Sequence, residues 1–287
     1  MANTSKRVPE NVPGDFFVDS TCIDCDACRQ IAPSIFGEAA STSFVKVQPI
    51  AESDRRRALQ ALLSCPTGSI GCLGNDNVKV VTCDFPLIVE EPVYYCGYNS
   101  PKSYGGNSYF VRHPDGNWLI DSPKFVTPLV KRLEALGGVQ HIFLTHRDDV
   151  ADADRYAKHF QAHRIIHRDE LTSQPSAEQV LDGEGPWELA PDFLAISTPG
   201  HTKGHCVLLF KERFLFTGDH LDWDRDEQRL AASEDYCWYS WTQQRESMRQ
   251  LAEYPFEWVL PGHGQKVNLP AQRMREEMLR LIETMSR

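Results

Sequence analysis

Cys22, Cys25 and Cys28 stand with two residues between neighbours, and Cys65-Pro66 follows at a distance. A C-x2-C-x2-C run turns the backbone round an iron–sulfide cube, and a remote cysteine supplies the fourth thiolate. Zinc more often takes two C-x2-C pairs. Disulfides suit secreted chains, and nothing in this sequence reads as secreted. The chemistry expected of the four cysteines is that of a 4Fe–4S cluster. A second set of residues lies in four loops, each directly after an expected strand. They are Thr145-His146-Arg147-Asp148, Pro199-Gly200-His201-Thr202-Lys203-Gly204-His205, Thr217-Gly218-Asp219-His220 and Pro261-Gly262-His263-Gly264. A glycine or a strand end in each brings the backbone in closely and aims a polar group at one place.

The cysteine pattern resembles a single-cluster ferredoxin. In two-cluster ferredoxins each run ends C-x3-C-P. Here Ala32 stands at that cysteine position, with Pro33 kept, and Arg55, Ala58 and Ala61 stand where a second triplet would precede Cys65. The two losses are complementary and leave four thiolates for one cluster. The loop set, in its order and spacing, resembles the metallo-β-lactamase fold from Val93 to Gly264, with Asn107-Ser108-Tyr109 and Leu119-Ile120-Asp121 fitting its first strands.

That second resemblance implies an αββα sandwich with a metal site at one edge. It implies that His146 opens the H-x-H-x-D-H motif, that His201 is the third histidine of the first site, that Asp219 bridges two metals and that His263 serves the second. The family motif would place histidine at 148, aspartate at 150 and histidine at 151, where this chain has Asp148, Val150 and Ala151. A two-residue insertion would bring Asp152 to the aspartate position, followed by Ala153 in place of histidine. The implied first site is then His146, Asp148 and His201, and the second Asp152, Asp219 and His263. Asp148 makes the motif similar to that of flavodiiron proteins, H-x-E-x-D-H. Oxygen-rich sets favour iron or manganese over zinc. His205 and His220 are expected to support the ligands by hydrogen bonds. His159, His163 and His167 read as solvated or capping residues. The run from Cys237 to Trp241 either walls a substrate pocket or packs in a helical core.

These residues need a scaffold. A strand, Asp15-Phe16-Phe17-Val18-Asp19, leads into the cysteine loop. A helix over Ser53–Leu63, with Ser53 as N-cap and Asp54 in its first turn, delivers Cys65 just past its end. Val78–Val81 reads as the closing strand. A boundary at Cys83–Pro86 divides a ferredoxin-like domain, residues 1–84, from a sandwich domain, residues 85–287. Strands follow at Val93–Tyr95, Tyr109–Arg112 and Trp118–Asp121, the last two joined by a His-Pro-Asp-Gly-Asn turn. A helix over Pro128–Leu136 stops at Gly137-Gly138, and a buried strand, Ile142–Thr145, runs into His146. A helix over Asp152–Gln161, strands near Ile165, Phe193, Val207 and Phe214, and a helical tail over Ala271–Thr284 complete the pattern. Hairpins first and alternation later predict an α+β chain with two mixed sheets flanked by helices.

The chain has 287 residues, 41% of them hydrophobic and 24% charged, the balance of a globular protein. A net charge of −10 opposes non-specific binding of nucleic acid. Met1–Phe17 has no apolar core of signal-peptide length, and no later stretch could span a membrane, so a cytoplasmic protein without a membrane partner is expected. Of nine cysteines, Cys72, Cys83, Cys96, Cys206 and Cys237 remain and read as reduced thiols.

The expected function is metal-dependent hydrolysis of an ester, thioester or lactone. Thr198 to His205 matches the third motif of glyoxalase II and the lactonases, which implies metals as Lewis acid and Asp219 orienting the nucleophile. The expected cofactors are the 4Fe–4S cluster and one or two ions of zinc, iron or manganese. The expected partners are a small-molecule substrate and a redox partner for the cluster. One alternative is an oxidoreductase passing electrons from the cluster to an iron site, favoured by Asp148, although no flavin motif is visible. Another is a non-catalytic carrier or sensor on a degenerate scaffold, supported by Ala153.

Overall fold

The structure is a computed structural model that describes residues 2–286. Its contacts divide the chain into two compact units, residues 1–117 with 122–139, and residues 118–121 with 140–287.

The first unit begins with β1 (Phe16–Val18), the cysteine loop and α1 (Ala27–Ile31). A hairpin follows, β2 (Phe36–Ala39) and β3 (Thr42–Val45), then α2 (Glu52–Ser64) and β4 (Ile70–Cys72). Phe16, Val18, Ile35, Phe36, Val45 and Ala58 are among the residues of one buried core. Helix α2 starts after Ala51, not after Ser53, and no side chain caps it. Glu52 and Asp54 in its first turn suit the positive end of the helix dipole. Cys65 sits at its C-cap, as expected.

The closing strand differs from expectation. Val78–Val81 forms a single helical turn, α3, because the Asn77 side chain accepts from Lys79 N. Strand β4 takes the place beside β1, pairing Phe16 with Cys72 and Val18 with Ile70. The unit continues with β5 (Leu87–Glu90), β6 (Val93–Tyr95) and β7 (Tyr109–Val111), antiparallel in succession. Helix α4 (Thr127–Ala135) buries Leu129, Val130 and Leu133. It ends where Gly137 and Gly138 adopt φ of +105° and +77°, which residues with a side chain rarely adopt.

In the second unit β8 (Trp118–Ile120), β9 (His141–Phe143), β10 (His163–His167) and β11 (Gln179–Leu181) lie side by side and parallel. Helix α5 (Ala153–Phe160) makes the crossover from β9 to β10. A six-stranded sheet follows, from β12 (Trp187–Ala190), β13 (Phe193–Ser197), β14 (Cys206–Phe210) and β15 (Phe214–Gly218). After a hairpin, β16 (Asp222–Asp224) and β17 (Arg229–Ala231), and helix α6 (Trp241–Leu251), strands β18 (Trp258–Pro261) and β19 (Val267–Asn268) complete that sheet.

The faces of the two sheets meet where Trp118 stacks on Phe193 with ring centroids 4.2 Å apart. Helices α6 and α7 (Ala271–Thr284) pack on the other face of the second sheet, placing Met248, Leu251, Met274 and Met278 against Val207, Leu215 and Val259. The tail helix has the predicted bounds. Strand β18 ends at Pro261, where the His263 loop was expected to follow a strand, whereas the hairpin β16–β17, strands β11, β12 and β19, and helix α6 were not anticipated.

Candidate metal centre

Cys22, Cys25, Cys28 and Cys65 line one cavity together with Val18, Ile23, Ser43 and Ile70. Asp24 and Asp26 take left-handed backbone, φ +56° and +63°, and so bend the chain between the cysteines. Buried Arg29 fixes both turns, with Nη1 2.6 Å from Asp24 Oδ1 and Nε 2.6 Å from Asp26 Oδ1. Backbone N–H groups donate to the sulfurs, Ser43 N to Cys22 Sγ at 3.4 Å and Ser69 N to Cys65 Sγ at 3.3 Å. Burial pushes the Cys25 thiol up to about 12 and raises Cys28 as well. Sulfurs this enclosed ionise against a nearby cation, a charge that the iron of a cluster would supply.

The strands that follow are built onto this loop within the same unit. A Cβ on Gly105, which has φ +88°, would lie 2.6 Å from Cys25 Cβ. Lys124 Nζ donates to the Pro66 carbonyl at 2.6 Å, and Asn99 N to the Ser64 carbonyl at 3.2 Å. The other five cysteines are free thiols, with Cys96 and Cys206 buried.

In the second unit His146 follows β9 and is fully buried. Its Nδ1 lies 2.9 Å from Thr145 Oγ1, and that hydroxyl lies 3.0 Å from both oxygens of Asp121. A hydroxyl has one hydrogen. Given to Asp121, it leaves the Thr145 oxygen to accept from Nδ1–H, and Nε2 keeps its lone pair. His201 is fixed in the same tautomer by donating from Nδ1 to the Tyr236 carbonyl at 2.5 Å.

The two free nitrogens face carboxylates. Asp148 Oδ2 lies 4.0 Å from His146 Nε2 and 3.5 Å from His201 Nε2. Asp219 Oδ2 lies 3.5 Å from His146 Nε2, 3.7 Å from His201 Nε2 and 3.8 Å from His263 Nε2. Asp149 Oδ1 lies 3.9 Å from His263 Nε2. Donors around one tetrahedral ion with bonds near 2.0–2.1 Å stand about 3.4 Å apart.

Among the described residues, His146 Nε2, His201 Nε2, both Asp149 oxygens and Asp219 Oδ1 are buried without a hydrogen-bond partner. Each such atom costs on the order of 1–3 kcal/mol or more unless something satisfies it. Gly262 leaves the room they occupy, since a Cβ there would lie 2.6 Å from both Asp149 Oδ2 and Asp219 Oδ1. Without metal the acidities are far from ordinary. Burial opposes a charge on His146, yet Asp219, Asp149 and Asp121 push its pKa up to about 10. Burial and the Asp219 charge push Asp149 well above the usual carboxylate range. Asp219 is buried too, but His263, His146 and His201 pull it below that range. The donor set fits one or two divalent cations, grouped as His146, Asp148 and His201, and as His146, Asp149 and Asp219.

Residues 18–72 match the family described as the 4Fe-4S single cluster domain of Ferredoxin I. Among solved structures, the chain is similar to BLEG-1, a B3 metallo-β-lactamase, at 18% identity over 68% of this chain and 100% of that chain, with a TM-score of 0.52. It is similar to the DIM-1 metallo-β-lactamase exposed to ceftazidime at 18% identity over 69% of this chain and 95% of that chain, with a TM-score of 0.53. A metallo-β-lactamase family protein from Thermus thermophilus aligns at 17% identity over 69% of this chain and 81% of that chain, with a TM-score of 0.51. The chain has the metallo-β-lactamase fold.

Within this metallo-β-lactamase fold the expected donors His146, Asp148, His201, Asp219 and His263 come together, and Asp152 does not join them. Asp152 lies at the head of α5 with Oδ2 3.6 Å from Arg155 Nη1. Asp149, one residue before the motif's aspartate position, lies among the donors instead, with both oxygens buried. The adjacent pair Asp148-Asp149 was the available signal. Buried Glu170 was also missed. It accepts from Arg147 Nε at 2.5 Å, Arg147 N at 3.1 Å and Gly204 N at 2.6 Å, and so joins the loop of His146 to that of His201.

His205 Nδ1 lies 2.9 Å from Thr198 Oγ1, and its ring stacks on His220 at 4.7 Å and lies 5.2 Å from the His146 ring. Burial keeps both neutral, with His220 lowered to about 3, so they pack beneath the ligand instead of hydrogen-bonding to it. His167 caps the turn after β10, accepting from Asp169 N at 3.2 Å. The run Cys237–Trp241 divides: Trp241 opens α6 and packs against its core, whereas Trp238 and Tyr239 are exposed. Trp238 is 63% exposed. It is held by its N–H to the His201 carbonyl at 2.9 Å, with its ring 6.0 Å from the His201 ring.

Proposed function

We propose that this chain is a metal-dependent hydrolase of esters, thioesters or lactones that also carries one 4Fe–4S cluster on Cys22, Cys25, Cys28 and Cys65. The observation that supports it most is Asp219 Oδ2, within 3.8 Å of three imidazole nitrogens. His146, Asp148 and His201 would hold a first ion, and Asp149, Asp219 and His263 would serve a second. A bound divalent cation supplies Lewis acidity and brings the pKa of a coordinated water towards neutrality.

The chain's own groups supply the remainder. Thr145 and the Tyr236 carbonyl fix the two imidazole tautomers. The Asp148 side chain, 47% exposed, is at the mouth of the site, and His201 beside it holds its carboxyl below the usual range, which keeps it charged as a ligand should be. Tyr236 and Trp238 stand beside His201 as an exposed apolar edge for the acyl part of a substrate. Division at residue 84 separates the two functions along the chain, with every cluster cysteine before it and every sandwich donor after it. Five further free thiols suit the reducing conditions of a cytoplasm.

A second reading rests on Asp148. Three carboxylates beside three imidazoles suit iron as well as zinc, and iron there would make the protein an oxidoreductase fed by the cluster. The test is metal analysis of anaerobically purified protein, paired with hydrolysis assays on simple thioesters and lactones. Metal beyond the cluster's iron, with turnover that His201→Ala abolishes, is expected. Iron in the sandwich site that reoxidises the reduced cluster with dioxygen, without hydrolysis, would overturn the proposal in favour of the second reading. A site that takes up no metal would overturn both.

A further inference from the structure

A chain of hydroxyl groups runs from a buried carboxylate to one cluster cysteine. Thr21 Oγ1 donates to Asp19 Oδ1. Thr21 Oγ1 lies 2.7 Å from Ser69 Oγ, Ser69 Oγ 2.6 Å from Thr67 Oγ1, and Thr67 Oγ1 3.7 Å from Cys65 Sγ. Asp19 is 2% exposed and is an acceptor at both oxygens, from Asn3 N at 2.7 Å and Thr21 N at 3.0 Å.

Each hydroxyl has one hydrogen, so the first bond decides the others. With the Thr21 hydrogen on Asp19, the Ser69 hydrogen must go to Thr21 and the Thr67 hydrogen to Ser69. The Thr67 oxygen then meets Cys65 Sγ with no hydrogen between them. Among the described residues, only the Ser69 N–H, at 3.3 Å, donates to that sulfur. Hydrogen bonds to cluster sulfurs are among the terms that set the reduction potential, because they stabilise the more negative reduced state.

We propose that Asp19 fixes the direction of the Thr21–Ser69–Thr67 hydroxyl chain, withholds a hydroxyl donor from Cys65 and thereby keeps the cluster's reduction potential low. Asp19, Thr21, Ser69 and Thr67 are positioning residues for the one-electron couple of the cluster. The proposal depends on the cluster assignment and is independent of what the sandwich site hydrolyses.

Substitution of Asp19 is a poor test, since loss of its charge would itself shift the potential. Ser69→Ala is cleaner: it keeps the N–H donor and frees the Thr67 hydrogen to turn to the sulfur. Potentiometric titration of the full holoprotein with dithionite and mediators, followed by electron paramagnetic resonance, reads the result. The potential is expected to rise in Ser69→Ala, to stay unchanged in Thr67→Val, and to return to the wild-type value in the double variant. If Ser69→Ala assembles no cluster, Thr21→Ala, one step further away, is expected to give the same rise. An unmoved potential in the assembled variant overturns the proposal. So does a fall in Thr67→Val, which would place the hydroxyl hydrogen on the sulfur from the start. A wild-type protein without a reducible 4Fe–4S signal would instead overturn the cluster assignment, and this proposal with it.

Discussion

The amide of Gly204 donates to Glu170 Oε1 at 2.6 Å, deep in the second unit, where Glu170 has no exposed surface. The same carboxylate holds Arg147, so one buried acid sets the spacing between the His146 and His201 loops. Glu170→Ala is expected to weaken metal binding in the sandwich site by roughly 10- to 100-fold, the usual effect of losing a group that orients ligands. Chelator competition measures it, and an unchanged affinity would show that the loops hold their spacing without Glu170.

His201→Ala removes a first-site nitrogen and leaves the first unit untouched. Sandwich-site metal should be lost while the brown absorbance of the cluster stays. Loss of both in the same preparation would mean that the two centres do not form independently.

Gly262→Ala places a methyl group 2.6 Å from an oxygen of Asp149 and of Asp219. Metal stoichiometry should fall by one ion, with folding retained by circular dichroism. Full stoichiometry would remove Asp149 from the ligand set.

Gly105→Ala strains a left-handed backbone and collides with Cys25 at once. A cost of about 1–3 kcal/mol is expected from the backbone alone, and iron and acid-labile sulfide should fall together. A variant with full cluster content and wild-type melting temperature would contradict the packing seen at Cys25.

One acid-sensitive pair joins Arg164 of β10 to Glu178, just before β11. Hydrogen bonds from Arg164 lower Glu178 to about 2, against the opposing effect of burial. A carboxylate with a depressed folded pKa gives stability that is complete above its unfolded value, about 4.3, and is lost as pH falls towards 2. Glu178→Gln should therefore lower the melting temperature at pH 6 and match the wild type near pH 2. The effect is modest because the Glu178 side chain is 37% exposed. A variant as stable as the wild type at pH 6 would show that the pair contributes nothing.

Some of this was legible in the sequence, for identifiable reasons. Helix α7 is marked by Met274, Met278 and Leu281, spaced to bury one face. The cysteines and the four strand-end loops are local signals, and the structure places them as their spacing suggests. Val78–Val81 misled because its β-branched residues read as strand, whereas the Asn77 cap starts a helical turn. Asp149 was hidden because which of the nearby carboxylates turns towards His263 and Asp219 depends on the folded path of the loop. Glu170 was hidden because its partners stand 23 and 34 residues away. Contacts at such separations leave no periodic trace.

The close approach of Gly105 to Cys25, and of Lys124 to Pro66, has a consequence for the living cell. Strands of the first unit are seated on the cysteine loop, so a chain that failed to assemble a cluster there would lose part of their support. A cell starved of iron, or one whose clusters are being destroyed by oxidants, would make this chain and then degrade it, since a marginally folded protein is removed by proteases. Abundance of the protein would then follow the supply of iron.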